Sequence, residues 1–220
     1  MYDPAEDPYC YPGTTVLRNR AGLRDQAALD VFEHEAVLQR ASEPMAVRSL
    51  GVRQYRAVHR HLFGDVYPWA GRFRTVRIAK GGNPFCYPEH IAAAIDRLFA
   101  GLRRQRWLRR LSADDFARHA AHFLAELNAI HPFREGNGRT RLVFLALLAE
   151  RAGHPLDFER MNPATMLAAM VRSFAGDEAP TRRRAPGADR AAGRGLAGIS
   201  RERPRHPCVI RLTGADRAKP

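Results

Sequence analysis

Cysteine is scarce: the 220 residues hold only Cys10, Cys86 and Cys208. An odd count without a metal-ligand spacing excludes a disulfide framework and a zinc knuckle, so a reducing compartment, the cytoplasm, is expected. Long apolar runs are also missing, which excludes a membrane-spanning helix, and no charged-then-apolar leader opens the chain. Internal repeats are absent. Acidic residues are few in the last forty positions, where Thr181–Pro220 holds 11 Lys/Arg against 3 Asp/Glu. That segment carries +8 of the net +13, leaving a mildly basic body with +5. The strongly cationic composition therefore points to a tail that could hold polyanions, not to a nucleic-acid-binding body.

What is present is helical periodicity. Good helix formers run from Arg24 to Ala41, with Ala28, Phe32, Glu35 and Ala36 at helical offsets, and end near Pro44. Val52, Tyr55, Val58, His59 and Leu62 make one stripe that closes at Gly64. Residues 67–78 change period, and Gly81-Gly82-Asn83-Pro84 is a turn signal, so a small β-hairpin is expected there. Ile91, Ile95, Leu98 and Leu102 mark the next helix. Ser112 followed by Asp115 reads as a capping box opening a helix through Phe116, Ala120, Phe123, Leu127 and Ile130. Residues 139–153 are apolar nearly all round, the mark of a central buried helix ended by Gly153 and Pro155. A short helix over 163–174 follows. The expected fold is all-α with one hairpin, as a single domain over 1–178 and a disordered Arg/Gly/Pro-rich tail over 179–220.

The chemistry is concentrated in His131–Leu142, HPFREGNGRTRL. Two glycines flanking Asn137 at a helix start turn successive backbone N–H groups toward an anion. Arg139 adds a full charge with fork geometry. Glu135 at the mouth of this cradle makes sense as a ligand to Mg²⁺, which bridges phosphate oxygens. His131, from the preceding helix end, is placed to act as a general base. A base, a metal-binding acid and a phosphate cradle together suggest transfer from a nucleotide to a hydroxyl.

This stretch resembles the Fic family signature, HPFx[DE]GNGRxxR, at every fixed position but the last. The resemblance extends over residues 11–25, 59–85 and 126–140, covers roughly Tyr9 to Ala175, and points to the bacterial Fic toxin branch. It implies a Fic-fold helical core and AMPylation, in which AMP moves from ATP to a protein hydroxyl and pyrophosphate leaves. Carried onto this chain, His131 is the base, Phe133 packs inward, and Glu135 holds Mg²⁺. Gly136, Asn137 and Gly138 cradle the phosphates and Arg139 pairs with them. The flap corresponds to Thr75–Pro84, with Thr75, Val76, Arg77, Ile78, Ala79, Lys80, Gly81 and Gly82 as the segment that clamps the target by strand pairing. Lys80 is either a contact to target or nucleotide or a solvated lysine. The related toxins modify type II topoisomerases, gyrase and topoisomerase IV, on the B-type subunit.

Position 142, where the family's last arginine grips the γ-phosphate, is Leu142, and an arginine stands at 141 instead. A helix turns about 100° per residue, so Arg141 faces away from the missing side chain. Three outcomes are compatible with this change: a slower enzyme with Arg141, Arg74 or Arg77 compensating, another phosphate-containing donor, or a disarmed copy. A Doc-like phosphate transfer and a non-enzymatic basic binding protein are the readings from other classes. The inhibitory pattern [ST]xxxE[GN] is absent, which fits the branch where a separate small antitoxin supplies the glutamate. His59 and His61, the His119/His122 pair, Tyr67-Pro68-Trp69, the arginines around Trp107, and Cys86 read as ordinary structural or solvated residues.

Overall fold

Asp25 opens the first helix by accepting a hydrogen bond from the Ala28 N–H at 2.9 Å, which satisfies one of the donors a helix start leaves unpaired. In this computed structural model, residues 7–47, 49–80, 83–156 and 209–210 are described. Five helices follow one another: α1 (Gln26–Ser42), α2 (Val52–Phe63), α3 (Pro88–Arg104), α4 (Ala113–Ile130) and α5 (Asn137–Ala152). Pro88 sits at the first turn of α3, where no amide donor is needed. Ser112 caps α4, accepting from the Asp115 N–H as the first half of a capping box does, while the Asp115 carboxylate accepts from the Ser112 hydroxyl. Gly136 and Gly153 bracket α5, both in left-handed conformation.

The helix α5 is the axis of the molecule. It packs against α2 on one side and α4 on the other, while α3 lies on α4. Nine of its sixteen residues are buried, so its nearly all-round apolar character is used on all sides. The core is aromatic: Tyr55 and Phe144 meet edge to face at 5.4 Å, and Phe99 closes on Phe144 at 5.3 Å. Burial of each such ring is worth about 1.5–3 kcal/mol. In α1 the buried stripe is Leu29 and Val37 with Phe32 and Ala36 half-buried, and Ala28 and Glu35 face solvent. The expected stripe was thus rotated by about one residue, because polar Glu33 turns inward.

Strand is sparse. The expected hairpin reduces to β2 (Ala79–Lys80) against β3 (Asn83–Pro84), with Ala79 opposite Pro84 and Lys80 opposite Asn83. Thr75–Ile78 is irregular backbone, and Gly81 and Gly82 lie outside the described residues. The expected helix over 163–174 and nearly all of the tail also lie outside them. Within the tail, β4 (Val209–Ile210) pairs antiparallel with β1 (Met45–Ala46).

Candidate active site

The site forms where α4 ends and α5 begins. His131 terminates α4 in a left-handed conformation, φ 47°, which turns the chain sharply and leaves the imidazole stacked on Phe85 at 3.9 Å. Burial, then the charges of Arg141, Arg74 and Lys80, push the His131 pKa down to about 3, against a weaker upward pull from the Asn128 backbone. The ring is therefore neutral at pH 7 and able to accept a proton. Its Nδ1 is buried and makes no hydrogen bond of normal geometry.

Two side chains hold this turn in roles that the sequence did not indicate. Arg74 is 2% exposed and donates from Nε to the His131 carbonyl (2.8 Å), from Nη1 to Val76 (2.6 Å), and from Nη2 to Cys86 (2.5 Å) and Ile130 (3.3 Å). Its backbone N–H also reaches the Pro132 carbonyl. One guanidinium thus gathers the C-terminal carbonyls of α4 and both sides of the flap. Burial lowers the Arg74 pKa to about 10, so it stays charged. A phosphate contact by Arg74 is therefore not what this conformation offers. His59, read as ordinary, accepts from the Gly71 N–H at Nδ1 and donates from Nε2 to the Glu135 carbonyl, both at 2.9 Å. That pairing fixes its tautomer, and burial pushes its pKa down to about 4. Its ring lies 3.8 Å from that of fully buried Phe133. His59 thus ties α2 to the motif loop.

The loop is also braced from within. Asn137 is 3% exposed, and its amide accepts from the Phe133 N–H (2.9 Å) and donates to the Phe133 carbonyl (2.7 Å). Its side chain is a strut, so any anion contact there falls to backbone N–H groups. The first α5 N–H with an intrahelical partner is that of Thr140, to Gly136 at 3.1 Å, leaving those of Asn137, Gly138 and Arg139 as the open donors of the helix start. Arg134 anchors the loop's outer side to buried Asp7 at 2.8 Å.

Arg139 lies over the Phe63 ring at 4.6 Å and pairs with Glu33 of α1 at 2.5 Å and with Glu135 at 3.7 Å. Tyr67 donates its hydroxyl to the other Glu33 oxygen. Glu33 was not foreseen, since nothing in α1 alone says which motif residue it will meet. Glu135 accepts from the Gly136 N–H at 2.8 Å and keeps its carboxylate nearly half exposed. A single accessible carboxylate fits Mg²⁺, which is commonly held by one or two carboxylates together with phosphate oxygens. Among the described residues no group of three His, Cys, Asp or Glu gathers, so there is no all-protein cage.

Arg141, by contrast, is 5% exposed, and its charge acts on Tyr55 in the core and on His131. The expectation that Arg141 binds phosphate is not met by this conformation: a residue two positions past Arg139 is carried to the buried side of α5. Arg77 is exposed, over Tyr87 and 3.7 Å from Glu89.

The Fic/DOC family profile matches residues 49–149. A probable protein adenylyltransferase of Sinorhizobium fredii, y4lH, is 54% identical over 180 residues, covering 81% of this chain and 94% of that one. The chain belongs to the Fic family. The protein adenylyltransferase VbhT of Bartonella schoenbuchensis is 37% identical over 80% of this Fic protein and 37% of its own length. Among solved structures, BepC of Bartonella tribocorum with bound AMPPNP superposes with a TM-score of 0.70 at 27% identity, covering 79% of this chain and 92% of that one. With adenylyltransferases as its relatives at 54% and 37% identity, this Fic protein is a nucleotidyltransferase. No helix among the described residues is long and apolar enough to cross a membrane.

Proposed function

We propose that this Fic protein is a protein adenylyltransferase that moves AMP from ATP to a side-chain hydroxyl of another protein. The observation that carries the reading is a neutral, buried imidazole at His131 beside an open helix start with Arg139 and Glu135. The AMPPNP bound to BepC makes ATP the donor to test first. The target oxygen attacks the α-phosphorus, the bond to the β-phosphate breaks, and pyrophosphate leaves, while the hydroxyl proton passes to His131. Asn137, Gly138 and Arg139 N–H groups face the phosphates, and the Arg139 guanidinium pairs with them. Mg²⁺ held by Glu135 would neutralise phosphate charge. Phosphate anions entering the site also oppose the nearby positive charges and raise the His131 pKa, making a better base where one is needed. Residues Thr75–Pro84 receive the target segment along the flap.

The B-type subunits of gyrase and topoisomerase IV are the first targets to offer. A small antitoxin that supplied an inhibitory glutamate would meet Leu142 where its arginine partner is expected. The deciding assay supplies ATP labelled at the α-phosphate, Mg²⁺ and these subunits, comparing wild type, His131→Ala and Leu142→Arg. Label that vanishes with His131→Ala supports the proposal, and a rise with Leu142→Arg measures the cost of the leucine. Label from the γ-phosphate instead would replace it with a Doc-like phosphate transfer.

A further inference from the structure

One concavity lies away from His131. It is a groove of about 1080 Å³ on the outer face of α2, bounded by Arg20, Arg40, the Gly64–Asp65 turn and residues 67–72. Arg53, Arg56 and Arg60 stand three and four positions apart along α2, so the helix itself lines them up on one side. Arg20 and Arg72 face them from the neighbouring segments. Arg40 is compensated by Asp65 at 2.6 Å and Glu43 at 2.7 Å. Arg20 feels the same Asp65 carboxylate without pairing to it, and Arg53, Arg56, Arg60 and Arg72 have no acidic partner among the described residues. Arg20 and Arg56 are anchored through Nε to the Gly64 and Gly71 carbonyls, each at 2.8 Å, which fixes their position and leaves their charge. Among the described residues, the side chains of Arg53, Arg60 and Arg72 make no hydrogen bond or ion pair.

We propose that this groove docks an acidic peptide segment of a protein partner. The cavity slightly exceeds the about 300–1,000 Å³ typical of small-ligand sites, and suits an extended chain. Between the arginines lie Val52, Ala57, Pro68 and Ala70, apolar surface for the stem of a peptide. Single-stranded nucleic acid would want exposed aromatic faces to stack its bases. Of the two rings lining the groove, Tyr67 is 2% exposed and gives its hydroxyl to Glu33, and half-buried His61 is tied from Nε2 to the Arg40 carbonyl at 2.8 Å. Carboxylates on a peptide match the guanidinium forks without needing a ring.

The test uses the full chain and fluorescence anisotropy with a labelled eight-residue peptide of alternating Glu and Ala. Two triple variants remove the same charge: Arg53→Gln/Arg60→Gln/Arg72→Gln in the groove and Arg182→Gln/Arg183→Gln/Arg184→Gln in the tail. The groove triple should weaken peptide binding by about tenfold or more, and the tail triple by less than about twofold. Thermal midpoints should match wild type, because the three groove arginines make no contact the fold needs. Equal loss in both variants would reduce the effect to net charge and overturn the proposal, as would no binding by wild type. Tighter, groove-dependent binding of an oligothymidylate of equal charge would overturn it in favour of nucleic acid.

Discussion

Two glycines of one motif, two positions apart, should fail in different ways. Gly136 has φ +80°, and a Cβ there would lie 2.4 Å from two carbons of the Phe63 ring. Carbon contacts are comfortable at about 3.5–4.0 Å, so the ring must move by more than about 1 Å. Phe63 is fully buried and has Arg139 over its face, so it has little room. Forcing alanine into the left-handed region costs about 1–2 kcal/mol, and overpacking a filled core costs about 1–3 kcal/mol. Gly136→Ala should therefore lose about 2–5 kcal/mol, a fall of roughly 1–3 M in the urea midpoint. Gly138 is helical, and its added Cβ meets no heavy atom within 4 Å. Gly138→Ala should hold or gain up to about 1 kcal/mol from helix propensity. It should still lose nucleotide affinity, because that open space lies at the helix start proposed for the phosphates. Urea denaturation and titration with a non-hydrolysable ATP analogue separate the two effects. A Gly136→Ala variant within about 1 kcal/mol of wild type, or a Gly138→Ala variant that binds nucleotide normally, would refute the reasoning.

Arg74→Met should cost about 3–5 kcal/mol by leaving four carbonyls of the α4 end and flap without their donor, read as a drop in urea midpoint. Glu33→Ala should raise the KM for ATP by about tenfold with a small change in stability, because Arg139 loses the carboxylate that holds it over Phe63; an unchanged KM would make the pair a surface contact only. Acid should destabilise the fold well above the carboxylate range. His59 and His131 are depressed to about 4 and about 3, so the unfolded chain takes up protons first as pH falls below about 6.5. Stability is full above that value and should fall by about 2 kcal/mol per histidine by pH 5, with His59→Gln removing roughly half of the loss.

Local chemistry was legible where it depends on neighbours in the chain. The Ser112 cap, the start of α5 at Asn137 and the Gly153 stop follow from short-range hydrogen bonding and backbone sterics, and they stand where the sequence placed them. Helical spacing set Arg141 off the face of the arginine missing at 142, yet only the packing of α5 shows its side chain among the core residues. Contacts between distant segments were not legible, because the same residue types serve many roles. Arg74 reads as one arginine among several in a flap, and only the meeting of that flap with the end of α4 turns it into a carbonyl clamp. Glu33 lies 106 positions from Arg139, and the packing of α1 against α2 brings it there. His59 sat on the buried stripe, yet its two hydrogen-bond partners come from a turn twelve residues away and a loop seventy-six residues away. The sequence by itself determined the motif, its reactive groups and the helices that carry them, since those rest on periodicity and local geometry. Which side chains hold that motif in shape was decided only by tertiary structure, because a buried polar group must find its partner wherever folding brings one.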